Sequence, residues 1–196
     1  MSRLKITQSL LSNWQYIELI DSGWERFIAA LNREEYPASE AIYRGKEFEK
    51  LVNDAVDGML PPENHQWLDP VKQLGLYLNG SMKQVEIRKN ITVDGLNIQL
   101  HGILDFLKAG VIYDTKFCAG QYHTNKYLNS PQHPMYFELV PQAYAFQYLI
   151  CDGKNIYTEE YRPEDTEPIQ YRISRFLKFI ERCHLEENLM KNWSVD

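Results

Sequence analysis

A chain of 196 residues with 44% hydrophobic and 13% aromatic residues can bury a substantial core, which excludes the disordered and low-complexity classes and points to one globular domain. No stretch reaches the roughly 18 apolar residues of a membrane span, and the start MSRLKITQS lacks a signal-peptide core, so the expected location is the cytoplasm. Three isolated cysteines without CxxC spacing argue against a disulfide scaffold or a zinc site, and the formal charge of −6 argues against indiscriminate duplex binding, although acids gathered at a metal count toward that same total.

In chain order, Ile6 to Ile20 reads as a short amphipathic helix, with Thr7 or Ser9 as N-cap and Leu10, Leu11, Trp14 and Ile17 at helical spacing. Ser39 followed by Glu40 opens a second helix that runs to about Met59, with Ala41, Phe48, Val52, Ala55, Val56 and Met59 as its apolar stripe. Glu49 lies at the edge of that stripe, one turn after Gly45, whereas Glu47 points about 200° away around the helix. A carboxylate placed there needs a partner, either an arginine or water at the rim, or a metal ion.

Pro61 to Pro70 is a loop by composition, and Leu74 to Leu78 makes at most one helical turn before Asn79-Gly80. From Val85 to Val93 apolar and polar residues alternate, and Asp94-Gly95 is a two-residue hairpin signal. The strand beyond it continues through Ile98 and Leu100 into a further hairpin, so three antiparallel strands follow in a row. Arg88 is a candidate contact for a backbone phosphate. Gly120 to Pro134 reads as a mobile loop in which Lys126 can hold a phosphate and Tyr127 can stack on a base. Pro134 to Ile150 turns helical, either kinked at Pro141 or in two pieces. Asn155 to Tyr161 is a fourth strand, and a long helix from about Glu167 to Met190 closes the chain.

The stretch His101 to Cys118 carries the chemistry. A two-residue turn at Ala109-Gly110 sets Leu107 against Ile112, which brings Asp105 opposite Asp114 at roughly 4.5–5.5 Å between Cβ atoms. Lys116 shares their face, and Leu104, Phe106, Val111, Tyr113 and Phe117 share the other. Two facing carboxylates repel unless positive charge lies between them. The triplet is therefore either a salt-bridged cluster on the solvent face of a sheet or the seat of a hard cation, which takes oxygen ligands.

The pattern Asp105, eight residues, then Asp114-Thr115-Lys116 resembles the PD-(D/E)XK nuclease superfamily, whose signature is an acid on one strand and acid-x-Lys on the next. Gly45-Lys46-Glu47-Phe48-Glu49 is similar to the Gly-x-x-x-Glu found on the first core helix of that family. Ser9 and Trp14 echo the opening helix of its RecB-like branch. Gln142 corresponds by position to the glutamine of the branch's Gln-x-x-x-Tyr motif, with Phe146 where the tyrosine is expected. Cluster-binding members place a cysteine just after the first motif and three more near the C-terminus; neither set is present, so no iron–sulfur cluster is expected.

The resemblance implies an α/β (α+β) fold with a restriction-endonuclease-like αβββαβ core over about residues 39–161, a mixed central sheet flanked by helices, and accessory terminal helices. It further implies a Mg²⁺- or Mn²⁺-dependent deoxyribonuclease, an exonuclease or end-processing enzyme of phage or bacterial DNA recombination and repair. Asp105 and Asp114 would hold the metal with Glu49 and the Thr115 carbonyl. Lys116 would orient or deprotonate the attacking water, and Gln142 would support the water or a phosphate. The implied partners are linear DNA or single-stranded ends, with a homo-oligomer or a recombination protein as further possibilities and no membrane. The alternative is a catalytically silent protein of the same fold that acts as a protein-binding module or inhibitor, a reading that the net negative charge favours.

Overall fold

The computed structural model describes residues 3–20 and 23–196. Its spine is β3 (Leu96–Lys108), a 13-residue strand. Along one edge β3 pairs antiparallel with β2 (Met82–Val93) through the expected Asp94-Gly95 turn, where both φ angles are positive as a type I′ hairpin requires. Along the other edge it has two partners in succession. β1 (Arg3–Thr7) lies parallel to Ile98–His101, and β4 (Val111–Phe117) lies antiparallel to Phe106–Lys108. The second hairpin turns at Ala109-Gly110 (φ +50° and +79°), and Leu107 faces Ile112 as the sequence requires.

β5 (Ala145–Cys151) runs parallel to β4, and β6 (Ile156–Tyr161) is antiparallel to β5. The described strands form one mixed sheet in the order β6-β5-β4-β3-β1-β7, with β2 on the far edge of β3 and β7 (Ser194–Val195) beside β1.

Helices cover both faces. α3 (Glu40–Val56) and α4 (Leu68–Leu78) bury Phe48, Val52, Trp67, Val71 and Leu74 against Phe106, Val111, Tyr113 and Leu149. On the opposite face lie α1 (Gln8–Ile20), α2 (Trp24–Asn32), α5 (Gln132–Leu139), α6 (Ile169–Arg182) and α7 (Glu186–Trp193). There Leu10, Trp14, Phe27, Met135, Phe146, Tyr148 and Phe176 form the larger core. The chain is thus an α+β fold, and its order α3-α4-β2-β3-β4-α5-β5-β6 contains a helix, three meandering strands, a helix and a strand, with β5 standing where helix was expected and β6 where the fourth strand was expected. Among the described residues no helix is long and apolar enough to cross a membrane. Cys118, Cys151 and Cys183 are all free thiols.

Several elements differ from the sequence reading. β1 precedes the first helix, and Thr7 caps that helix by accepting the Leu10 N–H at 3.3 Å. α4 is eleven residues long, because Pro70 falls in its first turn, where a missing N–H costs nothing. Residues 145–151 form a strand and not a helix. Paired on both sides and covered on both faces, β5 needs a continuous apolar run, which periodicity cannot separate from a buried helix. The C-terminal helix is two helices, broken where His184 adopts φ +55°.

α3 and α4 meet at Gly75, where an added Cβ would lie 2.7 Å from the Ala55 Cβ and 2.9 Å from its carbonyl carbon. Backbone cannot yield as a side chain can. Gly75→Ala is therefore expected to cost about 2 kcal/mol, or roughly 4–8 °C in Tm, read by thermal melting.

Candidate functional site

The two partners on the second edge of β3 leave a gap between them. β1 stops at His101 and β4 joins at Phe106, so Gly102–Asp105 have no strand beside them on that edge. The opposite edge is disturbed at the same level, since the β2–β3 ladder skips Gln84 and Asp105, and Gln84 has φ +48°. Here the alternation inferred from sequence fails. Leu104 enters the core with α5, whereas Phe106, two residues on, enters the core with α3 and α4. An irregularity in a ladder re-aims the side chains around it, and the one it re-aims is Asp105.

At this fork Asp105 Oδ2 accepts the Thr115 N–H at 3.3 Å, in place of further strand pairing beyond Phe106–Tyr113. Asp114 is only 2% exposed. Lys116 Nζ lies 2.5 Å from Asp114 Oδ2, and the amide of Gln132, in the first turn of α5, donates to Asp114 Oδ1. Glu49 reaches the same place from α3 and is half-buried, while Glu47 is exposed, as the helical geometry requires. Side chains from helices on opposite faces of the sheet meet here because no strand separates them.

The electrostatics follow from three acids and one amine. Burial pushes the Asp105 carboxyl well above the usual range; the Asp114 charge adds to this, Lys116 opposes it, and Glu49 adds again. Glu49 is raised by burial and by Asp114, against Lys116 and a hydrogen bond from Gln84. For Lys116, burial alone would lower the pKa, but Asp114, Asp105 and Glu49 outweigh it and the net shift is upward. Lys116 is thus an ammonium at neutral pH. An acid with a raised pKa holds its proton more tightly folded than unfolded, so the stability it lends below pH 4 is lost as pH rises through its folded value. Asp105→Asn keeps the acceptor for Thr115 without the charge. It is expected to raise Tm at pH 7, with the gain vanishing as the pH falls toward 4, measured by melting across that range.

Of the other expected residues, Thr115 lies between the two strands' acids, and its buried hydroxyl has no hydrogen-bond partner among the described residues. Lys126 and Tyr127 stand in the segment that walls the site. Arg88 does not: it is exposed and bound to Glu86 on its own strand, with Nε 3.1 Å from the carboxylate. Gln142 is also remote. It is exposed in the turn after Pro141, beside Gly110 at the far end of the hairpin.

The glutamine at the site is Gln132, which the sequence reading missed. Its signal was present, since Gln132-His133-Pro134-Met135-Tyr136 has the Gln-x-x-x-Tyr spacing sought ten residues later. Prolines at 131 and 134 made the stretch look like loop, yet both fall where a helix start tolerates them. The Tyr136 hydroxyl donates to the Ile103 carbonyl at 2.8 Å, one of the unladdered groups of the fork, and its ring packs where a side chain on Gly102 would stand, 2.6 Å from that Cβ. His133, next to Gln132, stacks on Tyr161 at 4.2 Å; burial, aided by the charge of Arg172, pushes its pKa down to about 3, so it stays neutral in the core.

Of the stretch Gly120 to Pro134, expected to be a mobile loop, the last residues begin α5 and the segment before them, 119–131, is tied down. The buried Glu159 carboxylate of β6 accepts from the Tyr122 hydroxyl (2.6 Å), the Lys126 and Tyr127 N–H groups (2.9 and 3.1 Å) and the Tyr161 hydroxyl (2.6 Å). Between this segment, α1 and the end of β4 opens a cleft of about 310 Å³ with Lys116 and Gln132 in its wall.

The fold is similar to that of the solved structure of SSO0001, with a TM-score of 0.56 and 13% identity over 90% of this chain and 76% of that one. At this identity the likeness is one of fold. No protein-family model matches the chain, and no curated protein matches it significantly.

Proposed function

We propose that the chain is a Mg²⁺- or Mn²⁺-dependent deoxyribonuclease of the PD-(D/E)XK type, acting at DNA ends. The observation that carries this reading is the convergence, at a fork in the sheet, of Asp105, Asp114, Lys116 and Glu49 with Gln132 of a Gln-x-x-x-Tyr motif.

The residues fit a hard divalent ion. The donors are all oxygens, and three carboxylates confront one ammonium, an excess of negative charge that adds to burial in raising the pKa of Asp105 and Glu49. Among the described residues no three His, Cys, Asp or Glu side chains stand together at coordinating distance, so the chain itself would supply Asp105 and Asp114, with the Thr115 carbonyl beside them. Two carboxylates, with water and phosphate oxygens in the remaining places, are the usual protein share for Mg²⁺. When bound, the ion supplies Lewis-acid polarisation of the phosphate and offsets developing charge.

The chain's own groups do the rest. Lys116, held protonated by its acidic neighbours, donates to an attacking water or to a phosphate oxygen, and so orients and stabilises. Gln132 fixes the rotamer of Asp114 through its amide, acting as a positioning residue. Glu49 adds negative charge from α3.

The test is incubation of the purified chain with end-labelled linear DNA, with and without Mn²⁺. Metal-dependent shortening of the strand is expected. If the protein is inert on linear, nicked, branched and single-stranded DNA, and a partner protein co-purifies with it, the binding-module reading replaces this one. If Mn²⁺ raises Tm without any cleavage, the acids form a structural ion site.

A further inference from the structure

A second pocket, of about 460 Å³, opens on another side of α1 from the cleft beside the acids. Ser9 and Asn13 line it, roughly 110° round the helix from Gln8, Ser12 and Gln15, which line the cleft. Two cations share the pocket. Lys5 of β1 is half-buried and Arg33, which caps the end of α2, is exposed, and among the described residues neither side chain has an ion pair or a hydrogen bond. Arg33 is placed by stacking instead. Its guanidinium carbon lies 4.4 Å from the centre of the Trp193 ring, and the indole N–H of that ring is fixed on the Leu31 carbonyl at 2.8 Å. Burial and the charges of Arg33 and Arg88 push the Lys5 pKa down, against Glu86. Glu86 is itself engaged by Arg88 and by His101, whose Nε2 lies 2.9 Å from its Oε1. Like charges turned to one space repel until a counter-charge enters it, the mirror image of the acids at the fork.

The rest of the lining adds donors and one idle acceptor. The Thr7 and Ser9 hydroxyls lie 3.1 Å apart, so one donates to the other and one O–H stays free. Both belong to the start of α1, where backbone N–H groups and the helix dipole favour an anion. Asn13 donates its amide to the Ser9 carbonyl at 2.9 Å, yet its Oδ1 is buried with no hydrogen-bond partner among the described residues.

We infer that this pocket binds a small hydroxylated phosphomonoester of the sugar-phosphate kind, with the phosphate between Lys5 and Arg33 and a hydroxyl on Asn13 Oδ1. A phosphate dianion neutralises the two cations, and a guanidinium suits its oxygens. An idle buried acceptor calls for a donor, which a bare dianion lacks and a hydroxyl of the same molecule supplies. The volume lies within the roughly 300–1,000 Å³ range of small-molecule sites and leaves room beyond one phosphate. Glu34, an exposed acid in the same lining, tolerates one phosphate and repels a run of them, which sets this ligand apart from a nucleic-acid strand.

The test is titration calorimetry of the full chain in EDTA at fixed ionic strength, with glucose 6-phosphate, inorganic phosphate and glucose as probes. Glucose 6-phosphate is expected to bind, inorganic phosphate to bind about tenfold more weakly, and glucose not to bind. Lys5→Gln and Arg33→Gln should each weaken glucose 6-phosphate about tenfold, and relief of the repulsion should leave the melting temperature of the ligand-free Lys5→Gln chain no lower than that of wild type. Absence of binding by glucose 6-phosphate, inorganic phosphate binding as tightly as the sugar phosphate, or an affinity that neither substitution alters overturns the inference. So does a short single-stranded oligonucleotide that displaces glucose 6-phosphate from wild type, since the pocket would then belong to nucleic acid. None of these readouts involves metal or cleavage, so the nuclease reading stands or falls separately.

Discussion

Replacing Asp114 with asparagine is expected to lower Mn²⁺-dependent hydrolysis of linear DNA by at least about 10²–10³-fold while the protein stays folded, because the charge that draws a cation into the fork is lost but the acceptor for Gln132 remains. Lys116→Ala should cost a similar factor by a different route, and the two are separable. Without the ammonium, Asp105 and Asp114 face each other with no counter-charge, which should also destabilise the metal-free chain by a few kcal/mol at neutral pH. Mn²⁺ should restore that stability without restoring turnover. Gln132→Ala, which loosens a ligand without removing it, should cost only about 10–100-fold and show as a weaker metal dependence. Single-turnover cleavage and thermal melts across a Mn²⁺ titration report all three. Equal hydrolysis by wild type and Asp114→Asn would remove the fork from the chemistry.

Glu159→Gln is expected to destabilise the fold strongly without touching the acids at the fork. Four donors converge on this buried carboxylate, two on each oxygen. An amide keeps one acceptor oxygen and turns an NH₂ group toward the other pair of donors, leaving them unsatisfied. Each such loss costs about 1–3 kcal/mol, so a total of about 3–5 kcal/mol, or roughly 10 °C in Tm, is expected. Burial, together with the same carboxylate, raises the Tyr122 hydroxyl to about 12, which keeps it a donor throughout the physiological range. Once released, residues 119–131 no longer hold Lys126 and Tyr127 against the cleft. Limited proteolysis should then cut within that segment, and DNA affinity should fall with little change in metal affinity. A normal melting temperature with an uncut segment would count against Glu159 as its anchor.

Much of the site was legible before any coordinates, because it rests on local rules. Ala109-Gly110 fixes a tight turn and the turn fixes the register as far as Phe106–Tyr113, which puts Asp105 next to the end of the ladder near Asp114 and Lys116; the break at Gln84 and Asp105 that aims the carboxylate is not local. Helical periodicity likewise separates Glu49 from Glu47. What was misread was set by neighbours distant in sequence. β5 is a strand because β4 and β6 pair with it on either side, although its apolar run also suits a helix. Gln132 was passed over in favour of Gln142 because the start of α5 looks like a proline-rich loop until the helix is in place.

The sequence by itself determined the turns, the register next to them and the helix face that presents Glu49, since two-residue turns and the period of a helix are properties of a few consecutive residues. Tertiary structure alone decided that β1 and β4 share one edge of β3. It also decided that the ladder breaks at Gln84 and Asp105, and that Glu159 holds the far wall in place. The physical reason is that an edge is shared and a buried carboxylate satisfied only by segments far apart along the chain, whose meeting depends on the burial of the whole core.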